Sequence, residues 1–128
     1  MHIDNEIKYD FSDVLIKPKR SYYTSRKEVD LEREFKFKWS KQIWKGIPLV
    51  ASNMDTVGTV ETASVLSNYN TITCLHKFHS AEDLVKIPNK IKNNVAITIG
   101  IAEGMNILYE LQDKEKLFKI ICIDVANG

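Results

Sequence analysis

An α/β fold is the class this sequence predicts, and three features of its pattern carry the prediction. Four short apolar runs begin at residues 47, 71, 95 and 119, each 24 residues after the last. Amphipathic stretches separate them, as when strands alternate with helices in a parallel sheet. The constant interval leaves room for one short helix per crossover, and iteration of a single unit suggests a barrel. The expected architecture is the N-terminal half of a (β/α)8 TIM barrel preceded by short β-strands, with a doubly wound open sheet as its rival.

Residues 1–45 carry basic clusters and aromatics without a long helical pattern, and they read as strands and loops leading into the repeating part, 46–128. Val29 and Leu31 alternate with Asp30 and Glu32, and Phe35, Phe37 and Trp39 alternate with Lys36 and Lys38; each alternation predicts a half-buried strand. The apolar runs then predict strands over 47–51, 71–75, 95–99 and 119–123. Apolar groups at helical spacing predict crossover helices over 61–66 and 105–111. Ser80-Ala81-Glu82-Asp83 has the form of a capping box, and Pro88 predicts where the helix it opens must end or kink.

A complete barrel takes eight strands and typically about 250 residues. The 128 residues are therefore expected to form a single partial domain lacking half of the fold. An open half-barrel would leave two strand edges bare and is expected to self-associate, borrow a partner or be poorly stable.

Composition narrows the function classes. The chain is 44% hydrophobic and 27% charged, which suits a folded unit with a core. Lys plus Arg number 18 against 17 Asp plus Glu, a net charge of +1 that supplies no field for nucleic acid or a membrane surface. No apolar stretch approaches the roughly 20 residues of a membrane helix. The polar, acidic opening residues do not resemble a signal peptide, so a cytoplasmic location is expected. Cys74 and Cys122 sit inside apolar runs, as reduced core thiols would.

Parallel strands deliver their carboxyl ends to one rim, where ligands bind in either architecture. The residues arriving there include Asn53 and Met54, His76 and Lys77, Gly100, and Asp124 onward. Lys77 is suited to neutralise a phosphate or hydrogen-bond a cofactor, or it is a solvated lysine. Asp124 ends an apolar strand where a carboxylate must find donors, so it reads as a ribose or amide acceptor or as a loop-fixing group. Asn127-Gly128 reads first as a turn. His76, His79 and Cys74 do not supply the four ligands at zinc-type spacing that a structural site needs, so no metal is expected. There is no Gly-x-Gly-x-x-Gly loop or P-loop; residues 100–104 form only a glycine-containing loop before a helix.

Several strings resemble the GMP reductase family: 13–21 (DVLIKPKRS), 25–33 (SRKEVDLER), 53–59 (NMDTVGT), His76-Lys77 and 122–128 (CIDVANG). They run in order along nearly the whole chain. IMP dehydrogenase shares the Met-Asp-Thr-Val core and the His-Lys pair. It differs around the Ser-Arg and Val-Ala-Asn-Gly positions and commonly carries an inserted module, for which the short stretch between Lys77 and Val95 leaves no space. The resemblance implies a (β/α)8 barrel assembled into homotetramers, and the conversion of GMP and NADPH to IMP, ammonia and NADP. A cysteine thiolate attacks the purine carbon bearing the amino group, ammonia leaves, and hydride is delivered to the resulting thioimidate.

Carried over by position, the resemblance implies cofactor contacts for Lys77, Asp124, Val125 and Ala126. Ser25 and Arg26 are implied to reach the cofactor of a neighbouring subunit. Asn53 and Met54 are implied to wall the nucleotide substrate pocket. The sequence departs from the family at Phe78-His79, where His-Tyr is common, and at Ile99-Gly100-Ile101, where a small polar residue usually precedes the glycine. Neither Cys74 nor Cys122 matches the nucleophile's motif. That cysteine, the proton-handling threonine and glutamate, the phosphate loops and the site for a monovalent cation (K+) are expected downstream of Gly128. The isolated chain is accordingly expected to be inactive. The alternatives are a non-catalytic half-barrel partner of a complete reductase, and an IMP dehydrogenase relative.

Overall fold

The computed structural model describes residues 5–101, 104–114 and 118–126. The backbone divides into two compact units, one ending at Asp30 and the other beginning at Leu31. The change of sequence pattern at residue 45/46 marks where the crossovers begin, and the backbone itself divides earlier.

In the first unit, Asp10 caps a 3-10 turn at Phe11–Asp13, and Asp13 accepts in return from the Asp10 N–H at 2.9 Å. Ser25 caps a second turn at Arg26–Glu28, accepting from the Lys27 N–H at 3.3 Å. The Thr24 hydroxyl donates to Glu28 at 2.7 Å. The strand expected over 29–32 does not form. Local bonds curl the chain just before Val29, and strand pairing starts only at Arg33.

The second unit opens with an antiparallel hairpin of β1 (Arg33–Lys36) and β2 (Ile43–Gly46), in which Phe35 faces Trp44. The strand expected to run through Trp39 stops at Lys36. Phe37 N–H donates to Gln42 at 2.9 Å and Lys41 N–H to Phe37 at 3.0 Å, turning the chain with Lys41 at φ 58°.

Four parallel strands follow: β3 (Val50–Ala51), β4 (Ile72–Cys74), β5 (Val95–Ile99) and β6 (Ile120–Ile123), ordered β3-β4-β5-β6. Each lies within one of the four predicted runs. In a doubly wound sheet the fourth strand returns beside the first; here it continues outward, an order that fits part of a (β/α)8 barrel. The main crossover helices are α1 (Val60–Leu66), α2 (Ala81–Lys86) and α3 (Gly104–Asp113). Thr59 caps α1 by accepting from the Thr62 N–H at 3.2 Å. Ser80 caps α2 through the Asp83 N–H at 3.2 Å, and α2 ends at Lys86, before Pro88.

Right-handed crossovers that always advance in one direction gather their helices on one face of the sheet. Leu75, Val95 and Ile97 share the core with Ala63, Leu84 and Leu111 of those helices. Alternation along the strands sends the neighbouring residues to the opposite face. Pairing of Cys74 with Ala96 and of Thr98 with Cys122 therefore puts these four side chains together, away from the helices. Both cysteines are unpaired and only half-buried. This corrects the expectation that they belong to the main core: in each run the adjacent residues took the helix side.

At the amino edge of the sheet, buried Trp44 donates from Nε1 to Asn94 Oδ1 at 3.0 Å, and Asn94 Nδ2 donates to the Ser67 carbonyl at 3.4 Å. Among the described residues, no helix is long and apolar enough to cross a membrane.

Candidate functional site

Beyond β4, the Leu75 N–H donates to the Ala96 carbonyl at 2.8 Å, and beyond β6 the Asp124 N–H donates to the Ile99 carbonyl at 2.9 Å. Lys77 and Asp124 therefore leave the sheet at the same edge, as do Asn53 and Met54 after β3.

A cavity of about 280 Å³ opens at this rim, lined by Lys77, Phe78, Thr98 and Gly100, with Ile107 of α3 behind them. Its shape depends on Gly104. A Cβ there would stand 2.6 Å from the Cβ of Ile99, so only glycine lets the start of α3 approach β5 this closely. The lysine ammonium lies 5.8 Å from the centre of the Phe78 ring.

Thr98 is the residue that sequence reasoning missed. It is 5% exposed, and its hydroxyl has no hydrogen-bond partner. A threonine between two isoleucines reads as an ordinary strand former. The available signal was its place one residue before the strand's end, in register with the face that lacks helices. A buried hydroxyl without a partner is costly in an apolar setting. Thr98 and Lys77 are both among the residues that line the cavity.

The loop that carries Lys77 is held by two imidazoles. His76 and His79 stack with centroids 4.0 Å apart and planes 11° from parallel. Burial holds the His79 pKa below its ordinary value; His76 reinforces that shift, and Asp83, the Gly58 backbone and Glu61 oppose it. His79 Nε2 is buried without a partner. Gly58 accepts from the His76 N–H at 2.9 Å, and a side chain on Gly58 would collide with the Cys74 carbonyl. The Cys74 thiol is pushed up to about 11 by burial, with Cys122 adding to the shift, which is the opposite of nucleophile activation. Among the described residues, no group of three or more His, Cys, Asp or Glu side chains could hold a metal ion.

The other sequence-predicted residues are placed as follows. Asp124, Val125 and Ala126 are exposed just past β6 and do not line the cavity. The expectation that Asp124 suffers desolvation is corrected, because β6 ends at Ile123 and the carboxylate lies in solvent. Asn53 is half-buried and Met54 exposed; the Met54 carbonyl accepts from Val57 and Gly58 N–H groups at 2.9 and 2.7 Å, fixing the turn into Gly58. Ser25 and Arg26 lie in the first unit, on a shallow cleft of about 220 Å³ formed with Tyr23 and Val29, and the Ser25 hydroxyl is engaged as a cap. Asn127 and Gly128 lie outside the described residues, as do Ala102 and Glu103 of the glycine-containing loop.

Residues 8–127 match the model of the IMP dehydrogenase / GMP reductase domain. Among curated proteins, the chain is 46% identical to GMP reductase of Buchnera aphidicola subsp. Acyrthosiphon pisum, covering 100% of this chain and 38% of that protein. It is 43% identical to GMP reductase 2 of Bos taurus, covering 99% and 38%, and 46% identical to GMP reductase of Onchocerca volvulus, covering 98% and 36%. The chain thus spans less than two fifths of the length of these relatives. Among solved structures, inosine 5′-monophosphate dehydrogenase from Legionella pneumophila superposes with a TM-score of 0.67 at 24% identity, over 91% of this chain and 35% of that one. That likeness concerns the fold.

Proposed function

Because this chain belongs to the IMP dehydrogenase / GMP reductase family, we propose that it is the N-terminal, cofactor-side portion of a GMP reductase, an enzyme reducing GMP to IMP with NADPH and releasing ammonia. In this reading the chain forms the first half of a (β/α)8 barrel. The observation that carries the proposal is the cavity at the carboxyl rim, lined by Lys77, in a chain whose curated relatives are named GMP reductases.

The reduced dinucleotide, when bound, supplies the hydride. The residues of this chain bind and orient it. Lys77 offers an ammonium and three N–H donors to a ribose or phosphate oxygen. Asp124, exposed on the same edge, accepts from ribose hydroxyls, while the Val125 and Ala126 backbone lies alongside. Ser25 and Arg26 serve a cofactor in a neighbouring subunit of a homotetramer, and Asn53 and Met54 border the purine nucleotide. A Cys74 thiol raised to about 11 does not suit attack on a purine at neutral pH. In this reading the nucleophile and the K+ site belong to residues outside this chain. Two unpaired cysteines agree with a reducing compartment such as the cytoplasm.

Titration with NADPH, followed by nicotinamide fluorescence, tests the reading. Saturable binding that is lost in Lys77→Ala is expected, with no GMP-dependent NADPH oxidation by the chain alone. Lack of binding by the unsubstituted chain overturns the cofactor assignment, and cysteine-dependent turnover overturns the placement of the nucleophile elsewhere.

A further inference from the structure

At the amino edge of the parallel sheet, a second cavity of about 320 Å³ opens between the hairpin and the segments that lead into β5 and β6. Three lysines from separate parts of the chain line it: Lys45 of β2, Lys90 of the 3-10 segment Asn89–Asn94, and Lys119 just before β6. Among the described residues, none that lines it is acidic, although the whole chain balances 18 basic against 17 acidic side chains. Glu32 reaches Lys45 at 3.5 Å. Lys90 and Lys119 have no ion pair among the described residues. Like charges gathered on one concave wall repel, and packing gains nothing from collecting them. A bound anion turns that repulsion into attraction.

The wall is set before any ligand arrives. Trp44, Asn94 and Ser67, all of which border the cavity, are held by the two hydrogen bonds described above. Asn70 sits at φ 50°, with its carbonyl accepting from the Ile47 N–H at 2.9 Å and its side chain donating to Glu32. These residues use their polar atoms within the fold. Gln42 and Asn93 do not: among the described residues no hydrogen bond engages their side-chain amides, so N–H donors remain on the wall that carries the lysines.

Ammonium groups and amide donors without a facing carboxylate suit phosphate oxygens, to which lysine offers a point charge and an amide offers direction. The volume exceeds the needs of one phosphate and leaves space for a small body attached to it. The charge is confined to a concave site, and a net charge of +1 gives no extended field, so the fit is to a small molecule and not to a nucleic acid.

We propose that this cavity is a second ligand site, for a small phosphate-bearing anion, at the end of the sheet opposite the Lys77 rim. Lys90 and Lys119 neutralise the phosphate, and Gln42 and Asn93 donate to its oxygens. The site stands independently of the cofactor reading, because none of its lining residues belongs to the rim cavity.

The test is calorimetric titration of this chain with inorganic pyrophosphate and, separately, ribose 5-phosphate, at a constant ionic strength of about 0.15 M. Saturable binding of either at one site is expected, and the tighter of the two identifies what fills the space beyond the first phosphate. The Lys90→Ala/Lys119→Ala double variant should bind at least about tenfold more weakly. Because both side chains are exposed, it should unfold at the same temperature as the unsubstituted chain. Lys90→Arg/Lys119→Arg, which keeps the charge, should bind within about threefold. Lys77→Ala and Lys17→Ala/Lys19→Ala should bind as the unsubstituted chain does. Absence of saturation in the unsubstituted chain overturns the proposal. So does an equal loss in Lys17→Ala/Lys19→Ala, which would mean diffuse attraction to surface lysines, or a loss confined to Lys77→Ala, which would place the anion at the rim. Failure of NADPH to bind removes the cofactor reading and leaves this site untouched.

Discussion

The imidazole of His76 lies flat against that of His79, 4.0 Å between centroids, and Lys77 projects from the loop the two rings bracket. Two half-buried imidazoles in contact tolerate each other when neutral and repel when both are charged. The carriage of Lys77 is thereby tied to protonation.

That coupling predicts a pH-dependent stability. Burial, reinforced by His76, lowers the His79 pKa in the fold from an ordinary value near 6.5. As pH falls through about 6.5 the unfolded chain takes up a proton that the folded chain resists, so stability declines toward lower pH. The melting temperature should fall between pH 7.5 and 5.5, and His79→Gln should flatten the dependence. Glu61 and Asp83, whose pKa values are lowered by hydrogen bonds, lose their contributions only at more acidic pH. An unchanged slope in His79→Gln would refute the coupling.

Cys74 should resist alkylation. With its pKa near 11, it presents about 300-fold less thiolate at pH 7 than a free cysteine near 8.5. Iodoacetamide labelling followed by peptide mass mapping should show Cys74 modified at least about a hundredfold more slowly in the folded chain than in denaturant. Equal rates in the two states would show the thiol to be accessible and ordinary.

Gly58→Ala should destabilise the fold by about 1–3 kcal/mol. The new methyl group would collide with the Cys74 carbonyl and stand 2.9 Å from the His76 amide, where the backbone leaves β4 for Lys77. Chemical denaturation should show a lower midpoint with an unchanged slope. NADPH binding should weaken as well, since the displaced segment carries the lysine.

Trp44→Phe should cost about 1 kcal/mol, the worth of one hydrogen bond. It removes the Nε1 donor to Asn94 and retains a ring against Phe35, now 6.0 Å from Trp44. Because this contact lies at the amino edge, NADPH affinity should not change; a parallel loss of affinity would argue against independent edges.

The repeating part of the fold was legible because parallel strands with crossovers impose a period that apolar runs cannot hide. The runs beginning at 47, 71, 95 and 119 each contain an observed strand, and Ser80 and Pro88 bound the helix they predicted. The opening segment was misread because alternation alone does not specify a partner. Val29 and Leu31 alternate with acids yet form no strand, while β2 shows only four residues and follows a turn whose positive φ belongs to Lys41 rather than to glycine. The rim position of Lys77 followed from strand direction. The cavity did not, since Thr98, Gly104 and Ile107 meet there through the packing of α3 on β5, which no local pattern encodes.

The Trp44, Asn94 and Ser67 chain spans 50 residues of sequence in two hydrogen bonds, and it sits at the end of the sheet opposite the cavity. The parallel sheet is thereby braced at its base, away from its mouth. A brace this far from the opening leaves exposed side chains there, such as Lys77, free to be exchanged without disturbing the foundation.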